Sequence, residues 1–258
     1  MSNGLENKRV LVTAGASGIG AAAAAQFLAS GSRVHICDVN EAAIDSFLKT
    51  NPGATASIAD VSDESAVASL FDTVKQELGG LDILINNAGI AGPTAFTEDI
   101  DYADWQKCMD VNLGGAFLCA RQAIPMLKES KGGSIINLSS TAGLFGFPGR
   151  APYACAKWAI IGFTKTLAME LGGDGIRCNA ICPGSVEGDR MDRVIAAEHK
   201  NTGMSEADIR TAYTSSSSMK TFVSAGDIAS AMIFLCSDAG SKVSGQALPV
   251  DGHSESIS

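Results

Sequence analysis

The stretch KRVLVTAGASGIG, residues 8–20, decides the fold. A short apolar run turns through Gly15, Gly18 and Gly20 into an alanine-rich segment that ends near Gly31, which is the pattern of a strand, a tight turn and a helix. Glycines there allow close backbone approach, and the helix that opens at the turn offers unpaired N–H groups and its positive dipole end to a pyrophosphate. A helix entry that merely needs compact residues would read the same way. The next strand, RVHICDVN at 33–40, separates the two. It ends in Asp38, 18 positions beyond Gly20, near the spacing of about 20 residues expected of a carboxylate that holds an adenosine ribose. Neither Ala14–Gly20 nor Val39–Asn40 contains a Lys or Arg to meet a 2′-phosphate. The carboxylate therefore favours NAD over NADP, and a cap for the helix starting near Glu41 is the other reading of Asp38.

Working outward, the chain continues as βα repeats. ATASIADV (54–61) reads as a third strand. In residues 62–80, Val67, Leu70, Phe71, Val74 and Leu78 fall at helical spacing, between a cap at Ser62 or Asp63 and a stop at Gly79. LDILINNAG (81–89) reads as a buried fourth strand breaking into Asn86, Asn87, Ala88 and Gly89, small and amide-bearing residues suited to a groove at a strand tip or to a plain turn. A long helix follows, with Trp105, Met109, Val111, Leu113 and Phe117 as its apolar positions. Asn112 and the pair Gly114-Gly115 inside it cost roughly 1 kcal/mol per glycine, so a kink or a crowded contact is expected. GSIINLSS (133–140) is a fifth strand ending at Ser140, and DGIRCNAICPGSV (174–186) a sixth that leaves the sheet at Pro183-Gly184. Residues 187–222 are polar without a strong period and read as a lid. Ser224 and Asp227 stand at capping-box spacing, and GQALPVDG (245–252) is the last strand.

These repeats describe an α/β fold: residues 1–258 as a single domain, a Rossmann-type doubly wound parallel sheet flanked by helices. With 46% hydrophobic residues the chain can bury a continuous core. A net charge of −9 and the lack of a basic stripe argue against nucleic acid as a partner. Seven cysteines without a C-x-x-C, and no His/Cys cluster at metal spacing, fit a reducing compartment and predict no metal. No apolar run reaches 18 residues and no charged-then-apolar leader is present, so the expected location is the cytoplasm, with no membrane partner.

The chemistry is expected between Ser140 and Lys157. Tyr153 and Lys157 lie four apart in APYACAKWAIIGFTKTLAMEL (151–171), whose periodicity is helical, so both project from one face. An ammonium beside a phenol favours the phenolate and suits it to acid/base work near neutrality. Ser140, at a strand's C-terminal tip, sits where ligands bind in open α/β sheets. A lone Y-x-x-x-K can equally be helix surface.

Taken together, these residues resemble the short-chain dehydrogenase/reductase family over essentially the whole chain. TAGASGIG resembles its T-G-x-x-x-G-x-G loop, Asn86-Asn87-Ala88-Gly89 its NNAG motif, and Pro183-Gly184 its PG turn. Asn112, Ser140, Tyr153 and Lys157 match its catalytic tetrad in order and spacing. The resemblance implies a nicotinamide cofactor, held by Gly15, Ser17, Gly18, Ile19, Gly20, Asp38, Asp60, Val61, Asn87, Ala88, Gly89, Tyr153, Lys157, Pro183, Gly184 and Val186. It further implies a small alcohol or ketone substrate and a homotetramer. A 3-oxoacyl carrier-protein reductase shares these motifs, and a dinucleotide-binding redox sensor shares the fold. Two positions depart from the family: Ala14, where glycine is usual, and Gly188, where many members have threonine. Arg150, Arg190 and Arg193 could form a positive mouth for an anionic substrate; ion pairing with Glu187, Asp189 and Asp192 is the other reading for the last two.

Overall fold

Strand β1 (Arg9–Thr13) leads into helix α1 (Gly18–Ala29), and β2 (Arg33–Asp38) into α2 (Glu41–Thr50). β3 (Thr55–Ile58), α3 (Glu64–Leu78), β4 (Ile83–Asn86) and α4 (Tyr102–Met109) follow. A π-helical turn, Asp110–Gly114, joins α4 to α5 (Gly115–Glu129). Then come β5 (Gly133–Leu138), α6 (Ala151–Leu171), β6 (Ile176–Pro183), α7 (Asp189–Thr202), α8 (Glu206–Ser215), α9 (Ala225–Cys236) and β7 (Ala247–Val250). The structure is a computed structural model that describes residues 3–255, leaving out the side chains at positions 189, 190, 197 and 201.

All seven strands pair in parallel, in the order β3-β2-β1-β4-β5-β6-β7. Alternation along each strand builds the two faces. Val10, Val12, Val34, Ile36, Ile83 and Ile85 join Phe27 of α1, Phe47 of α2 and Met232 of α9 in one core. Leu11, Cys37, Leu84, Ile135 and Cys178 point the other way, onto Phe71 of α3, Leu127 of α5 and Leu167 of α6. The chain leaves β1 for β2 on one side and later returns to place β4 on the other, so the strand order reverses between β1 and β4. A crevice at the carboxyl ends of those strands follows from that reversal.

Most boundaries match the sequence reading, and the differences have local causes. Asp63, not Ser62, caps α3, accepting from Ser65 N and Ala66 N, while Gly79 ends it at φ 78°. Asn40, not Asp38, caps α2 by accepting from Ala43 N. The expected kink around Asn112 is the π-helical turn, and the crowding is present too: a Cβ on Gly115 would lie 2.5 Å from Val61 Cγ2. The large apolar residues of α4 and α5 do not form the core there. Cys108, Asn112, Ala116, Cys119 and Ala120 are buried, whereas Phe117 is 48% exposed. Residues 187–222 contain α7 and α8, and a parallel bridge between Val186 and Val223 ties their base.

No described helix is long and apolar enough to cross a membrane.

Candidate active site

The glycine turn sits at the tip of β1 and is braced from β4. Thr13 Oγ1 accepts from both Asn87 N and Ala88 N at 3.0 Å, and Asn87 Nδ2 donates to Thr13 O (2.9 Å) and Ala14 O (3.0 Å). Sequence reading missed Thr13 as a site residue, although it opens the glycine loop. The loop passes so close to its neighbours that a Cβ on Gly20 would fall 2.2 Å from Ala14 O. Gly18 is the opposite case. It has φ +53° and a Cβ there would meet nothing within 4 Å, so the glycine keeps a strained turn and an open cradle at the start of α1. Ser17 precedes that helix without a side-chain cap, and its first turn holds no acidic residue. Its N-terminal N–H groups and dipole thus face the cradle uncompensated, an arrangement that fits a pyrophosphate.

Asp38 ends β2 beside this loop: Oδ2 accepts from Ala16 N at 3.2 Å and Oδ1 from Asn40 N at 3.1 Å. Asp60 lies beyond β3, where its Oδ1 accepts from Ser62 N and Ser62 Oγ, and Val61 is buried against Gly115. Ala14 adopts φ 47°, a left-handed conformation that costs a residue with a Cβ roughly 1–2 kcal/mol. Gly188 adopts φ 131°, which accounts for the missing threonine: an L side chain would be strained at that backbone angle. At the tip of β6, Pro183 is the last strand residue and Gly184 N donates to Val250 O. The bridge to Val223 uses Ser185 O and Glu187 N, so the backbone N–H and C=O of Val186 face away from it.

Asn112 and Lys157 meet at Gly89, beyond the tip of β4, and the Tyr153 ring lies beside Lys157. Asn112, 2% exposed in the π-helical turn, donates through Nδ2 to Cys108 O (2.8 Å) and Ile90 O (3.0 Å). Its Oδ1 is buried with no hydrogen-bond partner among the described residues. Gly89 locates the neighbouring groups: a Cβ there would lie 2.6 Å from Asn112 Oδ1 and 3.3 Å from Lys157 Nζ. Lys157 is buried, its Nζ donates to Leu138 O at 2.9 Å, and it lies 5.5 Å from the centroid of the Tyr153 ring. Ser139 Oγ donates to Lys157 O at 2.8 Å and anchors this turn of α6 to β5. Ser140 Oγ accepts from Ala142 N at 3.1 Å, which leaves its hydroxyl hydrogen to donate elsewhere.

Arg150 Nη2 donates to Ala91 O at 2.8 Å, and its guanidinium lies 5.4 Å from the centroid of the Tyr153 ring. Arg193 is exposed. The side chain of Arg190 is outside the described residues. Glu187 and Asp192 pair with Arg210 of α8, a partner the sequence reading did not consider.

Residues 13–252 match the protein family described as enoyl-(acyl carrier protein) reductase. The 2-(S)-hydroxypropyl-CoM dehydrogenase 3 of Xanthobacter autotrophicus is 34% identical over 256 residues, which cover 98% of each chain. The chain belongs to the short-chain dehydrogenase/reductase family. Another relative, the 3-oxoacyl-[acyl-carrier-protein] reductase of Thermotoga maritima, is 33% identical over 96% of this chain and 98% of its own. A solved structure of 7α-hydroxysteroid dehydrogenase complexed with NADH and 7-oxo glycochenodeoxycholic acid superposes with a TM-score of 0.90 at 29% identity, covering 98% of this chain and 96% of that one. The protein is thus an oxidoreductase of the short-chain type. Members of this family bind a nicotinamide dinucleotide, and the cradle at Gly18 together with the uncapped start of α1 fits that group.

Proposed function

We propose that the protein is an NAD-dependent dehydrogenase that moves a hydride between a small secondary alcohol, such as a hydroxy acid or polyol, and the nicotinamide. The observation that supports this reading is the meeting of Asn112 Oδ1 and Lys157 Nζ at Gly89, with the Tyr153 ring beside Lys157 and Ser140 just past the end of β5. When bound, the nicotinamide supplies the hydride chemistry. Ser140 Oγ donates a hydrogen bond to the substrate oxygen, and Tyr153 takes the hydroxyl proton in oxidation or returns it in reduction. The buried Lys157 ammonium stabilises negative charge as it develops on the phenol oxygen and holds the nicotinamide ribose. Asn112 Oδ1 accepts from a water that passes protons on to solvent.

Asp38 supports NAD: its carboxylate accepts from ribose hydroxyls and repels a 2′-phosphate. Gly15, Ser17, Ile19 and Gly20 line the pyrophosphate, Asp60 and Val61 the adenine side, and Asn87, Ala88, Pro183, Gly184 and Val186 the nicotinamide side. Helices α7 and α8 form a lid over the substrate. NAD is kept largely oxidised in cells, which favours alcohol oxidation as the physiological direction. Seven free cysteines, six of them buried, suit a reducing compartment such as the cytoplasm.

A carrier-protein reductase is the second reading, favoured by the Thermotoga maritima relative. A net charge of −9 opposes it, since an acidic carrier must be attracted. The test is formation of NADH, followed by absorbance, across a panel of polyols, hydroxy acids, sugar acids and aromatic alcohols. Tyr153→Phe keeps the ring but not the proton, and is expected to lower kcat by about 10²–10⁴ with NAD affinity nearly intact. Retention of more than about a tenth of wild-type kcat would remove Tyr153 from the acid/base role.

A further inference from the structure

Arg210 of α8 ties the 187–222 segment together. Its guanidinium pairs with Asp192 of α7, its Nη1 lies 3.6 Å from Glu187 Oε1, and it sits over the Phe222 ring, 5.7 Å from the centroid. Glu187 and Phe222 stand at the two ends of the segment, beside the bridge between Val186 and Val223. There Glu187 N donates to Val223 O at 2.9 Å and Val223 N to Ser185 O at 3.0 Å. One side chain therefore touches α7 and both stalks of the segment. About one turn further along α8, Tyr213 donates to Glu198 Oε2 of α7 at 3.1 Å. Burial and then Glu198 raise the pKa of this phenol, and the charge of Arg150 opposes them, which places Tyr213 near the start of α6.

Ile195 and Ile209 are the buried hydrophobic residues of α7 and α8 among the described residues, so little apolar burial holds these helices in place. An exposed ion pair alone contributes little, because fixing two long side chains costs entropy. Here two carboxylates and a ring share one guanidinium, whose ordering is incurred once for three contacts. The pairs remain open to solvent, with the side chains of Arg210, Glu187 and Asp192 37%, 63% and 54% exposed, so dissolved salt screens them.

We infer that Arg210 is a positioning residue: by tying α8 to α7 and to both stalks, it holds the segment against the start of the catalytic helix in the arrangement that binds substrate. This rests on the dehydrogenase reading, with α7 and α8 as the lid. Loss of the tie lets the segment open, and apparent substrate affinity falls with the fraction of molecules in the binding arrangement. At saturation, bound substrate restores that arrangement, so turnover is preserved.

The test combines amide hydrogen exchange, read by mass spectrometry on peptides covering α7 and α8, with steady-state kinetics. Arg210→Gln is expected to speed exchange in those peptides by about 5- to 30-fold and to leave the rest of the chain unchanged. Arg210→Lys keeps the charge but not the planar fork, and is expected to recover part of the protection. Raising NaCl from about 0.02 to 0.5 M should speed the same peptides in the wild type and leave Arg210→Gln where it is. For the alcohol oxidised fastest in the NADH panel, Arg210→Gln should raise KM by about 5- to 30-fold with kcat within about two-fold of wild type. Unchanged exchange in α7 and α8, faster exchange throughout the chain, a wild type indifferent to salt, or a loss confined to kcat would each overturn the inference. A wild type that oxidises no alcohol on the panel overturns the dehydrogenase reading instead, and the exchange measurement still decides whether Arg210 holds the segment.

Discussion

Asp38 is held at the tip of β2 by hydrogen bonds to both of its carboxylate oxygens. Each carboxylate oxygen already accepts one backbone N–H, from Ala16 and from Asn40, so the group is oriented before any ligand arrives. A carboxylate has about four lone-pair sites, so ribose hydroxyls can still be accommodated. Asp38→Ala is expected to lower kcat/KM for NAD by about 10- to 150-fold, the cost of losing hydrogen bonds to a charged group, while NADP suffers less because repulsion is lifted. A wild type that prefers NADP would overturn this role. Ala14 is the other residue with a measurable consequence. Its left-handed φ of 47° is a strain that glycine lacks, and the greater freedom of glycine in the unfolded chain offsets part of the relief. Ala14→Gly should therefore stabilise the fold by a net of about 0.5–1 kcal/mol, raising Tm by about 1–3 °C. A fall in Tm would show that the loop relies on the Ala14 methyl.

Between elements, the pairing of β2 with β3 contains a buried histidine. His35 is fully buried, with Nδ1 2.7 Å from Thr55 Oγ1 and Nε2 2.9 Å from Ser57 Oγ, an environment that serves a neutral ring. Burial lowers its pKa to about 4 from 6.5. The folded protein therefore resists a proton that the unfolded chain takes up below pH 6.5. The stabilising contribution is complete above pH 6.5 and is lost as pH falls toward about 4, by up to roughly 3 kcal/mol. The carboxylates act at lower pH. For Asp82, desolvation raises the pKa but is outweighed by hydrogen bonds and charge from Arg9, while hydrogen bonds from Ser65 and Ala66 lower Asp63 and those from Ser224 lower Asp227. Those contributions persist until pH drops below the ordinary Asp value of about 4. Urea midpoints measured from pH 7.5 to 4.5 should fall steeply for the wild type and less steeply for His35→Gln. Parallel slopes would assign the acid sensitivity elsewhere.

At the scale of the whole molecule, helices α4 to α6 present more apolar surface than one chain covers. Tyr102 is 76% exposed, Phe117 48%, Trp158 51% and Met169 87%, and the rings of Phe117 and Phe163 lie 6.4 Å apart between α5 and α6. Apolar side chains grouped on neighbouring helices mark an association surface, so we expect a homo-oligomer, a tetramer in the family's usual manner. Light scattering at micromolar concentration should return a multiple of 26.5 kDa; a monomeric mass would contradict it.

What could be read from the chain, and what could not, follows from the range of the forces involved. The βα alternation, the glycine turn, the strand-end position of Asp38, the cap at Ser224 and the helical spacing of Tyr153 and Lys157 are set by neighbours a few residues apart, so the sequence by itself determined them. Helices α7 and α8 were illegible because each is held by little apolar contact: Ile195 and Ile209 are their buried hydrophobic anchors among the described residues, too few to make a period. The partners of Arg210, the brace from Asn87 to Ala14 and the meeting of Arg150 with Ala91 join residues distant in sequence or in separate elements. Only tertiary structure decided these, because a contact between separate elements depends on how the sheet stacks them. The burial of Asn112 and Ala116 in place of Phe117 has the same origin: the π-helical turn rotates the helix, and side-chain size alone does not tell which face it buries.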